Sequence, residues 1–265
     1  MNSGGFIINM KTICFYNHKG GVGKTTMTAA IGAELVMRGK KVLLIDTDSQ
    51  AHLTARFLTE DKVSKEFADY LFEEKDKDAV LRQAIVKTIY KNLYIIPTKK
   101  LSDHGRIDAW SVKAGADVAS QKVFKKLIST LAQLNLDFVL FDMPPSYTVL
   151  NQLTIAACDE IIPVLKIDAD SITGFTDFYK LLNELKDGEE KPFLKTIIFN
   201  DQNRSRKNQN ELLPSIDKMP LEKVIFPHDE AFETSRRLRQ AVQTLKIKKE
   251  TRECLENIAN KLMED

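Results

Sequence analysis

His18-Lys19-Gly20-Gly21-Val22-Gly23-Lys24-Thr25-Thr26 stands between an apolar run, Thr12 to Tyr16, and a pattern of helical spacing from Thr25 to Arg38. The order predicts a strand, a phosphate loop and a helix. Glycines let the backbone curl until its N–H groups face a phosphate chain, and the helix that follows adds its positive N-terminal end. In such a loop Gly20, Gly21, Val22, Gly23 and Thr26 form the cradle and Lys24 reaches the β and γ phosphates. The Thr25 hydroxyl ligates the Mg²⁺ that bridges them. The expectation is a site for ATP and Mg²⁺.

Outward from the loop, Lys41 to Asp46 and Asp137 to Phe141 read as strands buried on both faces, because Val42-Leu43-Leu44-Ile45 and Phe138-Val139-Leu140-Phe141 are continuous apolar runs. Each run leads into acid: Asp46-Thr47-Asp48 after the first and Asp142-Met143-Pro144-Pro145 after the second. Carboxylates at the C-terminal ends of parallel strands stand where α/β sheets bind ligands. Asp142 fits the Walker B arrangement, in which a carboxylate holds the Mg²⁺ shell. Asp46 and Thr25 join it as candidate metal residues; for Asp46 the competing reading is a cap on the next helix. The prolines after Asp142 stiffen a turn able to sense the γ phosphate. Strands alternating with helices predict a doubly wound, mostly parallel α/β sheet flanked by helices, in a single domain over residues 1–265, with 1–9 as an N-terminal extension.

Several of these stretches together resemble the ParA/MinD family of ATPases with a deviant Walker A loop, K-G-G-x-G-K-[ST]. Lys19 to Thr25 match it in full, although His18 stands where the general phosphate-loop pattern has glycine. Asp142 to Pro145 match the family's D-x-P-P. Asp46 to Gln50 match its D-x-D-P-Q except that Ser49 replaces proline. Resemblance runs from about Lys11 to Leu58 and from Val118 to Val242, most like a short ParA-type partition ATPase without an operator-binding module. It implies that Asp48 positions the attacking water in a first switch and that Lys19 crosses to the partner's nucleotide in an ATP-bound homodimer. Lys19, Lys24 and Asp48 are then the catalytic residues, and Asn200, after the strand Leu194 to Phe199, contacts the adenine. The resemblance also implies nonspecific DNA as a partner, a ParB-like or cargo adaptor protein that stimulates hydrolysis, and segregation of a plasmid or chromosome. Two alternatives remain: an ATPase of the same family that positions a protein cargo, and a metabolic ATP-dependent ligase or small-molecule kinase.

Net charge over the 265 residues is only +2, so the chain as a whole is not a general nucleic-acid binder. Local clusters decide. Arg204, Arg206 and Lys207 form one, and Arg236, Arg237, Arg239 and Lys246 belong to a second without an acid from 236 to 249. Both suit phosphate contacts that do not read sequence; a solvated helix face is the competing reading. The C-terminal stripe Leu255, Ile258 and Leu262 is flanked by too many acids for anionic lipid, and is expected to pack on the body rather than on a membrane. Cys14, Cys158 and Cys254 are odd in number and widely spaced, which fits a reducing cytoplasm; the resemblance implies nucleoid association in the ATP state. Residues 60 to 115 carry helical spacing around Phe67 and Leu71, and again around Val80, Leu81, Ile85 and Ile89, then a strand at Leu93 to Pro97. Trp110 is expected to serve packing.

Overall fold

The computed structural model describes residues 10–100, 105–115, 118–146, 148–185 and 194–264; the predicted extension 1–9 lies outside them. The chain runs β1 (Lys11–Tyr16), α1 (Lys24–Met37), β2 (Val42–Asp46), α2 (His52–Phe57), α3 (Phe67–Phe72) and α4 (Lys77–Ala84). It continues through β3 (Val86–Lys87), β4 (Leu93–Ile96), α5 (Arg106–Lys113), α6 (Val118–Leu131), β5 (Phe138–Asp142) and α7 (Val149–Ala157). It closes with β6 (Glu160–Lys166), α8 (Ala169–Leu185), β7 (Thr196–Gln202), α9 (Lys207–Asp217), β8 (Glu222–Pro227), α10 (Ala231–Leu238) and α11 (Lys249–Glu264).

The strands form one sheet in the order β3-β4-β2-β5-β1-β6-β7-β8. Every neighbouring pair is parallel except β3 with β4. From β1 the chain builds first toward β2 and β4, then returns to the other side through β6, β7 and β8. The order therefore reverses at β1, and the phosphate loop leaves the carboxyl end of that strand, where such sheets bind ligands.

Alternation along each strand divides the core. Ile13, Phe15, Val42 and Leu44 face the layer of α1, α2 and α11, whereas Cys14, Tyr16, Leu43 and Ile45 face the layer of α3 through α7. Both sets are buried, which is why β2 reads as an unbroken apolar run. Full burial of each Leu or Ile contributes about 1.5–3 kcal/mol, and this holds the strand ends level. Gly39 ends α1 with φ +82°, as its position predicts. Leu255, Ile258 and Leu262 of α11 pack on the body. Trp110 is buried with its ring 6.3 Å from that of Phe124. Among the described residues no helix is long and apolar enough to cross a membrane.

Two expectations fail locally. The helical spacing through Ile85 and Ile89 ends at Ala84, and Val86–Lys87 pairs antiparallel with β4 instead. The run is rich in β-branched residues, which favour extended backbone. The Thr88 hydroxyl also accepts from the Tyr90 N–H (3.1 Å) and donates to the Leu93 carbonyl (2.9 Å), closing a turn that leaves Ile89 exposed. The spacing of Phe178, Leu181 and Leu185 predicts a helix after Thr173-Gly174; the helix starts earlier, at Ala169, because Asp168 caps it by accepting the Ser171 N–H at 2.8 Å.

Candidate nucleotide site

Beyond β1 the chain is anchored by Asn17, a buried residue whose Nδ2 donates to the Val164 carbonyl at 2.8 Å while its Oδ1 accepts the Lys19 N–H at 2.9 Å. The loop is thereby tied to β6 before it curls. Gly23 sits at the start of α1 with φ +106°, and a Cβ there would fall 2.3 Å from Asn200 Nδ2. Asn200 spends that nitrogen on the Val22 carbonyl at 3.0 Å, so β7 braces the loop from the far side. Lys24 opens α1 and is buried, its Nζ donating to the carbonyls of Asn17 (2.9 Å) and Lys19 (3.2 Å). Burial lowers its pKa, against the attraction of Asp142 and Asp48. The first turn of α1 leaves backbone donors facing the loop, an arrangement suited to phosphate.

Asp46 and Asp142 are register partners on adjacent strands, and both are fully buried. Their surroundings differ. Asp46 Oδ2 accepts the Thr54 N–H (2.8 Å) and hydroxyl (2.7 Å), and Oδ1 accepts the Asp48 N–H (3.2 Å). Burial nevertheless raises its pKa to about 7, the neighbouring Asp48 charge adding to the effect. Among the described residues no well-formed hydrogen bond reaches either carboxylate oxygen of Asp142, although the Thr25 hydroxyl is close enough to act on it. Its pKa is also pushed up, first by burial and then by Asp46, with Thr25 and Lys24 acting in the opposite direction. A buried carboxylate without a well-formed hydrogen bond, next to Thr25, fits a hydrated Mg²⁺ ion; Asp46 already has its oxygens committed to Thr54 and Asp48. Among the described residues no group of three or more His, Cys, Asp or Glu side chains could hold a metal by itself. A site shared between Thr25, Asp142 and phosphate oxygens does not need one.

Asp48 is buried beside the loop and accepts the Gln50 N–H at 2.9 Å. Ser49, where the resemblance expects proline, packs against Gly105 at the head of α5; a Cβ on Gly105 would lie 2.7 Å from that of Ser49. Across the site, Pro144-Pro145 is fixed by Asn151, whose Nδ2 donates to the Pro144 carbonyl at 3.2 Å. Lys19 turns outward. Its Nζ pairs with Asp168 Oδ1 at 2.9 Å, and this contact raises the lysine's pKa.

A cavity of about 740 Å³ joins these parts. The loop from Gly20 to Thr26, Asp48, Arg56 and Pro145 line one side, and Phe232, Glu233, Arg236, Arg237 and Arg239 line the other. Three residues expected at DNA thus border the phosphate loop, and Arg236 pairs with Glu233. Lys246 lines a different cavity, with His228 and Asp229. At the head of α9, Arg206 lies 3.7 Å from Asp201 and Lys207 3.9 Å from Glu211, while Arg204 is exposed. Clusters that hold no acid along the chain therefore meet acids in space.

Sequence reading passed over Asn17, Arg56 and Asp168. Asn17 had the signal of a polar residue at the exact end of a buried strand. Arg56 had that of a cation three residues after the buried Leu53, hence on the inner face of α2. Nothing local marked Asp168 as a partner of Lys19.

The family described as AAA domain matches residues 10–196. An uncharacterised protein of Borreliella burgdorferi is 33% identical over 76% of this chain and 78% of its own. The chromosome-partitioning ATPase Soj of Treponema pallidum is 30% identical over 67% of this chain and 66% of its own. The septum site-determining protein MinD of Pyrococcus horikoshii, solved with Mg-ADP, superposes with a TM-score of 0.75 over 96% of both chains at 22% identity, a likeness of fold. With the two-lysine loop, the paired strand-end carboxylates and these matches in agreement, the chain belongs to the ParA/MinD family of ATPases.

Proposed function

We propose that this chain is a ParA-type ATPase of DNA segregation. It binds ATP and Mg²⁺, dimerises on ATP, holds DNA without reading its sequence, and hydrolyses ATP when a ParB-like or cargo adaptor protein engages the dimer. The observation that carries this reading is the opposite disposition of two lysines on one loop. Lys24 is folded inward onto the carbonyls of Asn17 and Lys19, whereas Lys19 points outward and is held by a half-exposed ion pair. The kinship with a chromosome-partitioning ATPase supports it.

In this cycle Lys24 exchanges its carbonyl contacts for the β and γ phosphates of its own subunit. Lys19 leaves Asp168 and crosses to the partner's nucleotide, placing positive charge on the transition state only in the assembled dimer. Asp48 orients the attacking water, Thr25 and Asp142 hold the metal shell, and Asp46 keeps the Asp48 loop in shape. Mg²⁺ bound there supplies charge that neutralises the phosphate oxygens. Asn200 braces Val22 with its nitrogen and keeps its oxygen for the adenine. Arg204, Arg206, Lys207, Arg236, Arg237, Arg239 and Lys246 supply DNA phosphate contacts. The protein acts as one domain in the cytoplasm, on the nucleoid while ATP is bound and without a membrane partner.

Binding to a random-sequence duplex with ATP, with ADP and without nucleotide, across a salt series, tests the reading. Binding should require ATP and, for about five phosphate contacts, fall with a log–log salt slope near about −4.5. Intact hydrolysis with no DNA binding in any state would remove DNA as the matrix and favour a protein cargo or a small-molecule substrate.

A further inference from the structure

Arg56 is more than nine-tenths buried on the wall of the phosphate-loop cavity, and no acid is ion-paired with it among the described residues. One contact is made: Nη2 donates to Thr26 Oγ1 at 2.8 Å. Its Nε is buried without a partner. The acids it senses, Asp142 and Glu233, act only at a distance, and Arg236 repels it. A buried, unpaired guanidinium is costly, and its fork of donors matches phosphate geometry.

Its element is well fixed. α2 follows the Asp48 loop directly; Leu53 enters the core, Thr54 is bound to Asp46, and Arg56 reaches α1. Thr26 accepts from Arg56, and its own hydroxyl proton goes to no described residue. Two donors, the Thr26 hydroxyl and the Arg56 guanidinium bound to it, therefore stand together at the cavity wall. Lys24 and Thr25 serve the β and γ end of a nucleotide, so the phosphate in front of the next residue, Thr26, is the inner one.

We propose that Arg56 binds the α-phosphate of the nucleotide together with the Thr26 hydroxyl. This rests on the nucleotide-site reading. It also gives α2 a direct hold on the nucleotide whether or not a γ phosphate is present, so the first switch is retained in the ADP state as well as the ATP state.

The test is titration of the DNA-free protein with Mg-ADP and Mg-ATP, calorimetrically, in wild type and in Arg56→Met and Arg56→Lys. Losing a charge-assisted contact should weaken both nucleotides by the same factor, about 10- to 100-fold for Met, with a smaller loss for Lys. The melting midpoint of nucleotide-free Arg56→Met should not fall, because an uncompensated buried charge has been removed. In Arg56→Lys the ³¹P resonance of the α-phosphate of bound ADP should move and that of the β-phosphate should not. Unchanged ADP affinity, a loss confined to ATP, or a loss of DNA binding alone would overturn the assignment while leaving the nucleotide site standing. Failure of the wild type to bind ADP or ATP would overturn the nucleotide reading itself, and Arg56 with it.

Discussion

The ends of β2 and β5 lie side by side and each closes on an aspartate, yet the two carboxylates have opposite surroundings. Three donors converge on Asp46, from Thr54 and Asp48, while among the described residues no well-formed hydrogen bond reaches either oxygen of Asp142. At equal depth and in equal register, one acid is committed to shaping the loop and the other is open to a ligand. The difference separates scaffold from site more sharply than burial does, because an unsatisfied buried carboxylate is tolerated only where something else will meet it.

The largest effect expected from this contrast is on turnover. Asp142→Ala should cut Mg²⁺-dependent ATP hydrolysis by at least about 100-fold, the scale of one lost charge-stabilising group, without lowering the stability of the nucleotide-free protein. No well-formed hydrogen bond is lost in that variant, only the weaker pull of the Thr25 hydroxyl. Asp46→Ala should do the reverse in stability, costing about 2–3 kcal/mol in urea unfolding because buried Thr54 donors are left unpaired. Equal stability losses in the two variants would erase the distinction.

The phosphate loop repeats the contrast on a smaller scale. Gly21 and Gly23 both have positive φ, but only Gly23 has a neighbour where a Cβ would go. Gly21→Ala meets backbone strain alone, about 1 kcal/mol. Gly23→Ala adds a collision with Asn200, and unfolding should show a loss of about 2–4 kcal/mol with weakened ADP binding. Asn200→Ala in the same chain should return part of the stability. If it returns none, Asn200 is not the brace.

What the chain disclosed in advance follows from the range of the interactions. The phosphate loop, β2 and β5 were legible because their chemistry lies within consecutive residues: glycines before Lys24-Thr25, and apolar runs ending in acid. The unequal roles of Asp46 and Asp142 were not, since each closes the same kind of run and the difference depends on Thr54 and on what fails to approach Asp142. The surroundings of the basic clusters were hidden for the same reason. Arg236 to Lys249 contains no acid, but helix geometry brings Glu233 under Arg236, and the fold turns that helix toward the phosphate loop. β3 was lost because a two-residue strand has no period to detect, and its pairing is decided by the turn through Thr88.

The smallest structural change tests the most exposed part of the comparison, Lys19 against Lys24. Lys24 is buried and held by two carbonyls; Lys19 is held by Asp168 at the exposed edge, an ion pair that contributes little to folding. Asp168 also caps α8 through the Ser171 N–H. Asparagine preserves that cap and removes the charge, so Asp168→Asn should melt with the wild type, whereas Asp168→Ala should lose about 1 kcal/mol. Released from its partner in the same chain, Lys19 is free for a second subunit. Sedimentation over a concentration series with ATP should then show Asp168→Asn associating at several-fold lower concentration than wild type. Identical association curves would mean that the ion pair does not restrain Lys19, and the outward lysine would owe its position to the loop alone.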